Sequence, residues 1–288
     1  MPESTRDGAR HGILLAIVAV CFFSTSPILV LWAAPLSPFE ITAGRMASGA
    51  LAVWLLARLS GQPLLPRRAD LPRFFGFGLI TALHFLCYIA SLSFTTIAHA
   101  LAIVYTAPIF VTLFSATMLG EPIPRRKWLG VIVAVAGIAI LAGLEPRLNS
   151  RMIIGDLLAL GSAIMFGLYS VAGRSQRERY GLFTYAGTVY GLAALWVLPV
   201  AALNFTPAGY QWRSLLAVLG AGLLPLGAGH TLYNAALRRT HATTVNLIAT
   251  QEVTGGVLLG ALLLSQIPQT NEIAGAVVAL IGIAFVLV

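Results

Sequence analysis

The residues of this chain best suited to chemistry are a carboxylate, a guanidinium and a set of polar aromatics, all placed inside long apolar runs. Glu252 lies near the middle of the run 242–264. A charge there costs ~2.5–3.5 kcal/mol even on a lenient insertion scale, so it should face a wet cavity or a partner. It could anchor a substrate ammonium or carry a coupling proton; the alternative is a protonated glutamate hydrogen-bonded between helices. Gln251 precedes it, and Asn246 points roughly 120° away from it around a helix.

Arg45 lies in the run 39–58, about 9 Å inside a helix that begins at Phe39. It could bind a substrate carboxylate, snorkel outward, or pair with backbone carbonyls. Glu40 is roughly 140° away around the same helix and is a poor partner. His84, Tyr88, Tyr105, Tyr169, His230, Tyr233 and Asn234 add polar tips on aromatic or amide bodies. His84 and Tyr88 share a helix face, as do His230 and Tyr233 with Asn234 beside them. Matching faces on two helices suggest a shared cavity; packing or an interfacial belt is the alternative for any single ring. No carboxylate or cysteine completes metal-ligand spacing around the histidines, so neither a metal nor another cofactor is expected.

These residues sit in a chain of 288 residues that is 58% hydrophobic and 10% charged, against ~45–50% and ~25% in soluble domains. Its mean hydropathy is +0.87. Apolar runs of bilayer length fall at 12–32, 39–58, 73–94, 97–119, 127–144, 153–173, 182–203, 212–237, 242–264 and 272–288. They are continuously apolar rather than alternating, which predicts an all-α integral membrane protein with about ten transmembrane helices. Cys21 and Cys87 lie inside such runs and read as small hydrophobic side chains.

The net charge of +8 is gathered in short clusters between runs, which argues against a nucleic-acid partner. One side of the predicted topology holds Arg6, Arg10, Arg58, Arg67, Arg68, Arg73, Arg125, Arg126, Lys127, Arg174, Arg177, Arg179, Arg238 and Arg239. The other holds only Arg147, Arg151 and Arg213. The positive-inside rule then predicts cytoplasmic N- and C-termini.

The chain also repeats itself. A displacement of 145 residues carries Thr95 onto Thr240, Tyr88 onto Tyr233, Gly130 onto Gly275 and Gly137 onto Gly282. A displacement of 143 carries Gly12 onto Gly155 and Phe23 onto Phe166. Two repeats, 1–147 and 148–288, are therefore expected, and five crossings each would place them in opposite orientations around a central cavity. The paired glycines predict close packing of the fifth and tenth helices. Pro108, Pro225, Gly255 and Gly256 are predicted sites of bending, with tolerated packing defects as the alternative.

The duplicated unit, Arg45, Pro108 and the run LGEPIPRRKWLGVIVAVAGIAIL, which contains Glu121, resemble the EamA family of the drug/metabolite transporter superfamily. The aromatic residues are similar to those of its aromatic amino-acid exporter branch. The resemblance implies a bacterial inner-membrane carrier of small organic solutes, often an amino-acid exporter. Where many members have a proline in the ninth helix followed by a glutamate, this chain has Gln251, Glu252 and Val253, then Ser265 and Gln266.

A monomeric secondary transporter working by alternating access, with a small metabolite and the lipid bilayer as partners, is the leading expectation. A carrier of quaternary amines, nucleosides or sugar phosphates, or a passive facilitator, is the alternative. An enzyme would need a nucleophile–base pair or metal constellation that the sequence lacks, and a channel would need a ring of like side chains.

Overall fold

A computed structural model describes residues 3–94, 97–143, 150–264 and 269–287; among them every regular element is helical and no strand occurs. Positions Thr95, Arg147, Ser265 and Gln266, and the expected boundary at 147/148, lie outside the described residues. The first half comprises α1 (Glu3–Phe23), α2 (Ser26–Trp32), α3 (Pro38–Leu59), α4 (Leu71–Ser91), α5 (Ile97–Val104), α6 (Ala107–Met118) and α7 (Arg125–Ala142). In the second half, α8 (Ser150–Ser175) and α9 (Leu182–Leu203) precede a composite rod of α10 (Trp212–Ala221), a π-helical stretch (Gly222–His230) and α11 (Thr231–Leu237). α12 (Ala242–Ala249), α13 (Glu252–Leu264) and α14 (Thr270–Leu287) complete it.

Seven rods among the described residues are long and apolar enough to cross a membrane, beginning at Asp7, Arg68, Ala100, Ser150, Leu182, Trp212 and Ala242. α3 falls short in apolarity because it carries Glu40, Arg45 and Arg58, and α7 opens on Arg125, Arg126 and Lys127.

Three rods are interrupted, at Ser24–Thr25, Tyr105–Thr106 and Thr250–Gln251. At each, a threonine hydroxyl donates to the carbonyl three residues back: Thr25 to Phe22, Thr106 to Ile103 and Thr250 to Leu247, all at 2.7 Å. These local bonds compete with the main-chain ladder. Pro27 and Pro108 then sit in the first turn of α2 and α6, where a missing N–H costs nothing. The helix is interrupted just before Pro108, and the run 12–32, read as one helix, is two.

Gly255 and Gly256 do not interrupt their helix. They lie within α13, and a Cβ at Gly255 would strike the Ser24 side chain at the break between α1 and α2, so this glycine serves a close chain contact. The break lies upstream of them, where Thr250 competes for a carbonyl. Pro225, by contrast, lies inside the π-helical stretch, whose wider turn accommodates the lost N–H and ends at His230.

α7 packs along α14 through the paired glycines. A Cβ at Gly137 would fall on the backbone of Ala279, one at Gly275 on that of Leu141 and one at Gly282 on that of Ala134; at Gly130 it would come within 2.7 Å of the Gly282 carbonyl. α3 lies against α9, with the Trp54 indole over Gly187 and Gly191. α4 packs on α8 and α9, while α1 packs on α11, the π-helical stretch and α12.

The bundle has two chemically different ends. At the basic end, Arg179 pairs with Asp70 at 3.0 Å, Tyr180 donates to Asp70, and Arg238 donates to the Tyr180 carbonyl at 2.8 Å. At the opposite end Glu40 accepts from Ser37 N and Oγ at 2.8 and 2.7 Å, and from Thr206 N and the Tyr210 hydroxyl at 2.8 and 2.9 Å. With its acceptors filled this way, Glu40 makes its hydrogen bonds at the α3 N-terminus rather than to Arg45.

Candidate functional site

Six of the residues singled out above line one buried cavity: Arg45, His84, Tyr88, Tyr105, His230 and Glu252, together with Phe23, Ser26, Phe85, Val104 and Phe166. The helix interruptions place two of them. Tyr105 stands at the break between α5 and α6, and Glu252 opens α13 directly after the break that follows α12. Tyr105 and Glu252 both face the cavity, so the two interrupted rods meet there through their functional side chains.

Arg45 does not snorkel. It is 1% exposed, donates from Nη1 to Ser26 Oγ at 2.9 Å and lies over the Phe85 ring at 4.5 Å. A guanidinium is weakly hydrated and stacks on aromatic faces, which makes it the cation best able to occupy such a position. Its Nε, the Tyr88 hydroxyl and His230 Nδ1 are buried without a hydrogen-bond partner among the described residues. Buried polar atoms are seldom left so, and three around one cavity mark it as a place for a polar ligand.

The walls are aromatic. His84 stacks on Phe166 with ring centres 4.6 Å apart and is tied to α8 through Ser162, whose Oγ lies 2.9 Å from its Nδ1. His230 packs against Phe23 and Phe85 at 4.4 and 4.9 Å. The cavity measures ≈ 20 Å³, about the room a single water needs. A metabolite therefore requires the surrounding helices to part.

The remaining candidates are elsewhere. Tyr169, Tyr233, Asn234 and Asn246 form a separate buried network toward the basic end. Asn234 donates to the Tyr169 hydroxyl at 2.6 Å, Tyr233 and Ser170 are 2.6 Å apart, and Asn246 donates to Tyr233 at 3.1 Å. Gln251 faces an outer, largely apolar groove with Ser24, Thr254 and Gly255, and accepts from Thr254 at 3.0 Å. The break after Thr250 turns it away from Glu252, its neighbour in sequence. Ser26, Phe85 and Phe166 were not anticipated as lining residues; Ser26 alone carried a signal, as a hydroxyl beside Pro27 within an apolar run.

At the basic end, Glu121 accepts from Arg174 Nε at 2.7 Å and lies 3.2 Å from His241 Nδ1. Arg174 also donates to the Leu237 carbonyl at 2.8 Å. Burial pushes the Glu121 carboxyl up, but His241 and Arg174 outweigh it and hold it down to about 2, from an ordinary 4.5. A lowered folded-state value stabilises above the unfolded value and is lost as pH falls toward the folded one. The thermal stability of the wild type in detergent should therefore fall more steeply between about pH 5 and about pH 3 than that of Glu121→Gln. Equal acid sensitivity in the two proteins would remove Glu121 from this account.

Helical rods of bilayer length around a buried, charged and aromatic cavity define a multi-pass membrane transport protein. The chain belongs to the EamA-like transporter family, whose sequence profile matches residues 10–143 and again 153–288. It is 30% identical over 279 residues to the pseudopaline exporter CntI of Pseudomonas aeruginosa, covering 96% of this chain and 95% of that one. It is 28% identical over 233 residues to the aromatic amino acid exporter YddG of Ancylobacter novellus, covering 78% and 79%. A solved crystal structure, 22% identical, superposes with a TM-score of 0.80 over 96% of both chains, a likeness of fold.

Proposed function

We propose that this protein exports small zwitterionic metabolites, amino acids or close relatives, across the bacterial inner membrane by alternating access. The observation that carries the reading is the joint presence of Arg45 and Glu252 around one aromatic-walled cavity. A guanidinium takes a carboxylate and a carboxylate takes an ammonium, so the pair matches a solute bearing both groups. Relatives that export pseudopaline and aromatic amino acids support an exporter of this kind.

The machine in this reading is two inverted five-helix repeats, 1–147 and 148–288, giving ten crossings with cytoplasmic termini at the basic end. Packing supports it. In the repeat register α3 matches α9 and α7 matches α14, and both pairs pack on each other. α4 packs on α8 while its counterpart, the rod α10–π–α11, packs on α1, the counterpart of α8. Such reciprocity is what a two-fold relation between repeats requires. The breaks at Tyr105–Thr106 and Thr250–Gln251 also coincide under the displacement of 145 that carries Thr95 onto Thr240. Paired flexible points beside a cavity too small for substrate suit a rocking carrier.

The test is counterflow in proteoliposomes with amino acids, nucleosides and quaternary amines, with and without a pH gradient. Zwitterionic amino acids should exchange, and analogues lacking either the amine or the carboxylate should compete about tenfold or more less well, since each forfeits a charge-assisted contact. Absence of counterflow for every solute would overturn the carrier reading.

A further inference from the structure

Between the cavity and the basic end, three elements descend through the same sequence of layers. On α8, Phe166 lines the cavity, Tyr169 and Ser170 lie one turn below, and Arg174 one turn below those. On the rod ending in α11, His230 lines the cavity, Asn234 follows after one turn, and the Leu237 carbonyl meets Arg174. Reading back from Glu252, Asn246 and then His241 occupy the same levels. At ~1.5 Å per residue the descent from Phe166 to Arg174 is about 12 Å.

The middle layer has an unusual hydrogen-bond balance. Asn234 Nδ2 donates to the His230 carbonyl at 2.9 Å, which can only accept, so the amide orientation is determined and Oδ1 points away. Ser170 donates to the Phe166 carbonyl at 2.8 Å, so Tyr233 must donate to Ser170 and Asn246 Nδ2 to Tyr233. That chain of donors determines the second amide as well. Both carbonyl oxygens, Asn234 Oδ1 and Asn246 Oδ1, are left buried without a donor among the described residues, in side chains 2% and 1% exposed. Gly173 leaves Asn234 Oδ1 uncovered, since a Cβ there would lie 2.6 Å from it.

We propose that this layer is a second binding station, taking the ammonium group of the substrate through Asn234 and Asn246 in the conformation open at the basic end. The contacts of Glu121 with Arg174 and His241 are the latch that closes it in the present conformation. The station is uncharged, so it holds the ammonium less tightly than a carboxylate does and releases it toward Glu252. This rests on the zwitterion carrier reading given above.

Two measurements on the full chain in proteoliposomes test it. The first uses Thr243→Cys, buried on α12 between latch and layer, in a background where Cys21 and Cys87 are serine. A membrane-impermeant maleimide added at the basic side should label it about tenfold faster when Glu121→Gln breaks the charged contact. Unchanged labelling overturns the latch. The second measures KM for L-phenylalanine from each side. Asn234→Leu should raise KM at the basic side about tenfold and leave the opposite side within about twofold. Gly173→Ala, which covers the acceptor without altering Asn234, should act in the same direction. Equal shifts on both sides, or none, overturn the station. Wild-type protein that exchanges no amino acid would sink the carrier reading instead, and the labelling experiment, which needs no transport, still decides the latch.

Discussion

Glu252→Gln should lower counterflow efficiency by about 10- to 150-fold, the loss expected when a hydrogen bond to a charged group is forfeited. Glutamine keeps the shape of the side chain, so helix packing at the break is preserved while the negative charge is removed. The effect should fall on solutes with an ammonium group and should be small for analogues without one. Arg45→Gln should show the mirror pattern, toward carboxylates. A double-mutant cycle separates the roles: if both residues grip one substrate, the double variant loses less than the product of the single losses. Wild-type rates in Glu252→Gln would place the residue among packing contacts joining α5–α6 to α12–α13.

Gly137→Leu should leave little folded protein. Overpacking a core commonly costs ~1–3 kcal/mol because neighbours can repack, but here the obstacle is the main chain of α14 at Ala279, which no rotamer change removes. The two helices would have to separate along the whole glycine seam, giving up the contacts on which membrane helix association depends. Yield of monodisperse protein in detergent and the thermal unfolding midpoint would report it. Gly76→Leu is the control, since a Cβ there meets nothing within 4 Å. Equal stability of the two variants would show that the seam does not hold α7 to α14.

The helices were legible before any coordinates because a bilayer imposes a length and a polarity on each segment, and those are local properties. Apart from the first, whose helix begins at Glu3 rather than at residue 12, the apolar runs drawn from the sequence coincide with helical rods to within about three residues, close to the usual tolerance for element ends. The glycine pairing on α7 and α14 was legible for a similar reason, since a fixed spacing of small residues marks a close helix approach. The interruptions were only partly so. Pro108 announces its break, but Ser24–Thr25 and Thr250–Gln251 are set by hydroxyls choosing a local carbonyl over solvent, a choice composition does not reveal.

The site divides along the same line. That Arg45 and Glu252 must be accommodated inside the bundle followed from the cost of charge in an apolar run. Which residues surround them did not follow. Helix periodicity ranks faces only along an unbroken helix, so the break after Thr250 separates Gln251 from Glu252 and sends Asn246 to another layer. The meeting of α2 and α3 at the cavity brings Ser26 and Arg45 together from positions 19 residues apart. The sequence alone determined that this is a helical membrane protein with costly polar groups at its centre. Only the tertiary structure decided which of those groups share a cavity, because that depends on where helices break and which faces then meet.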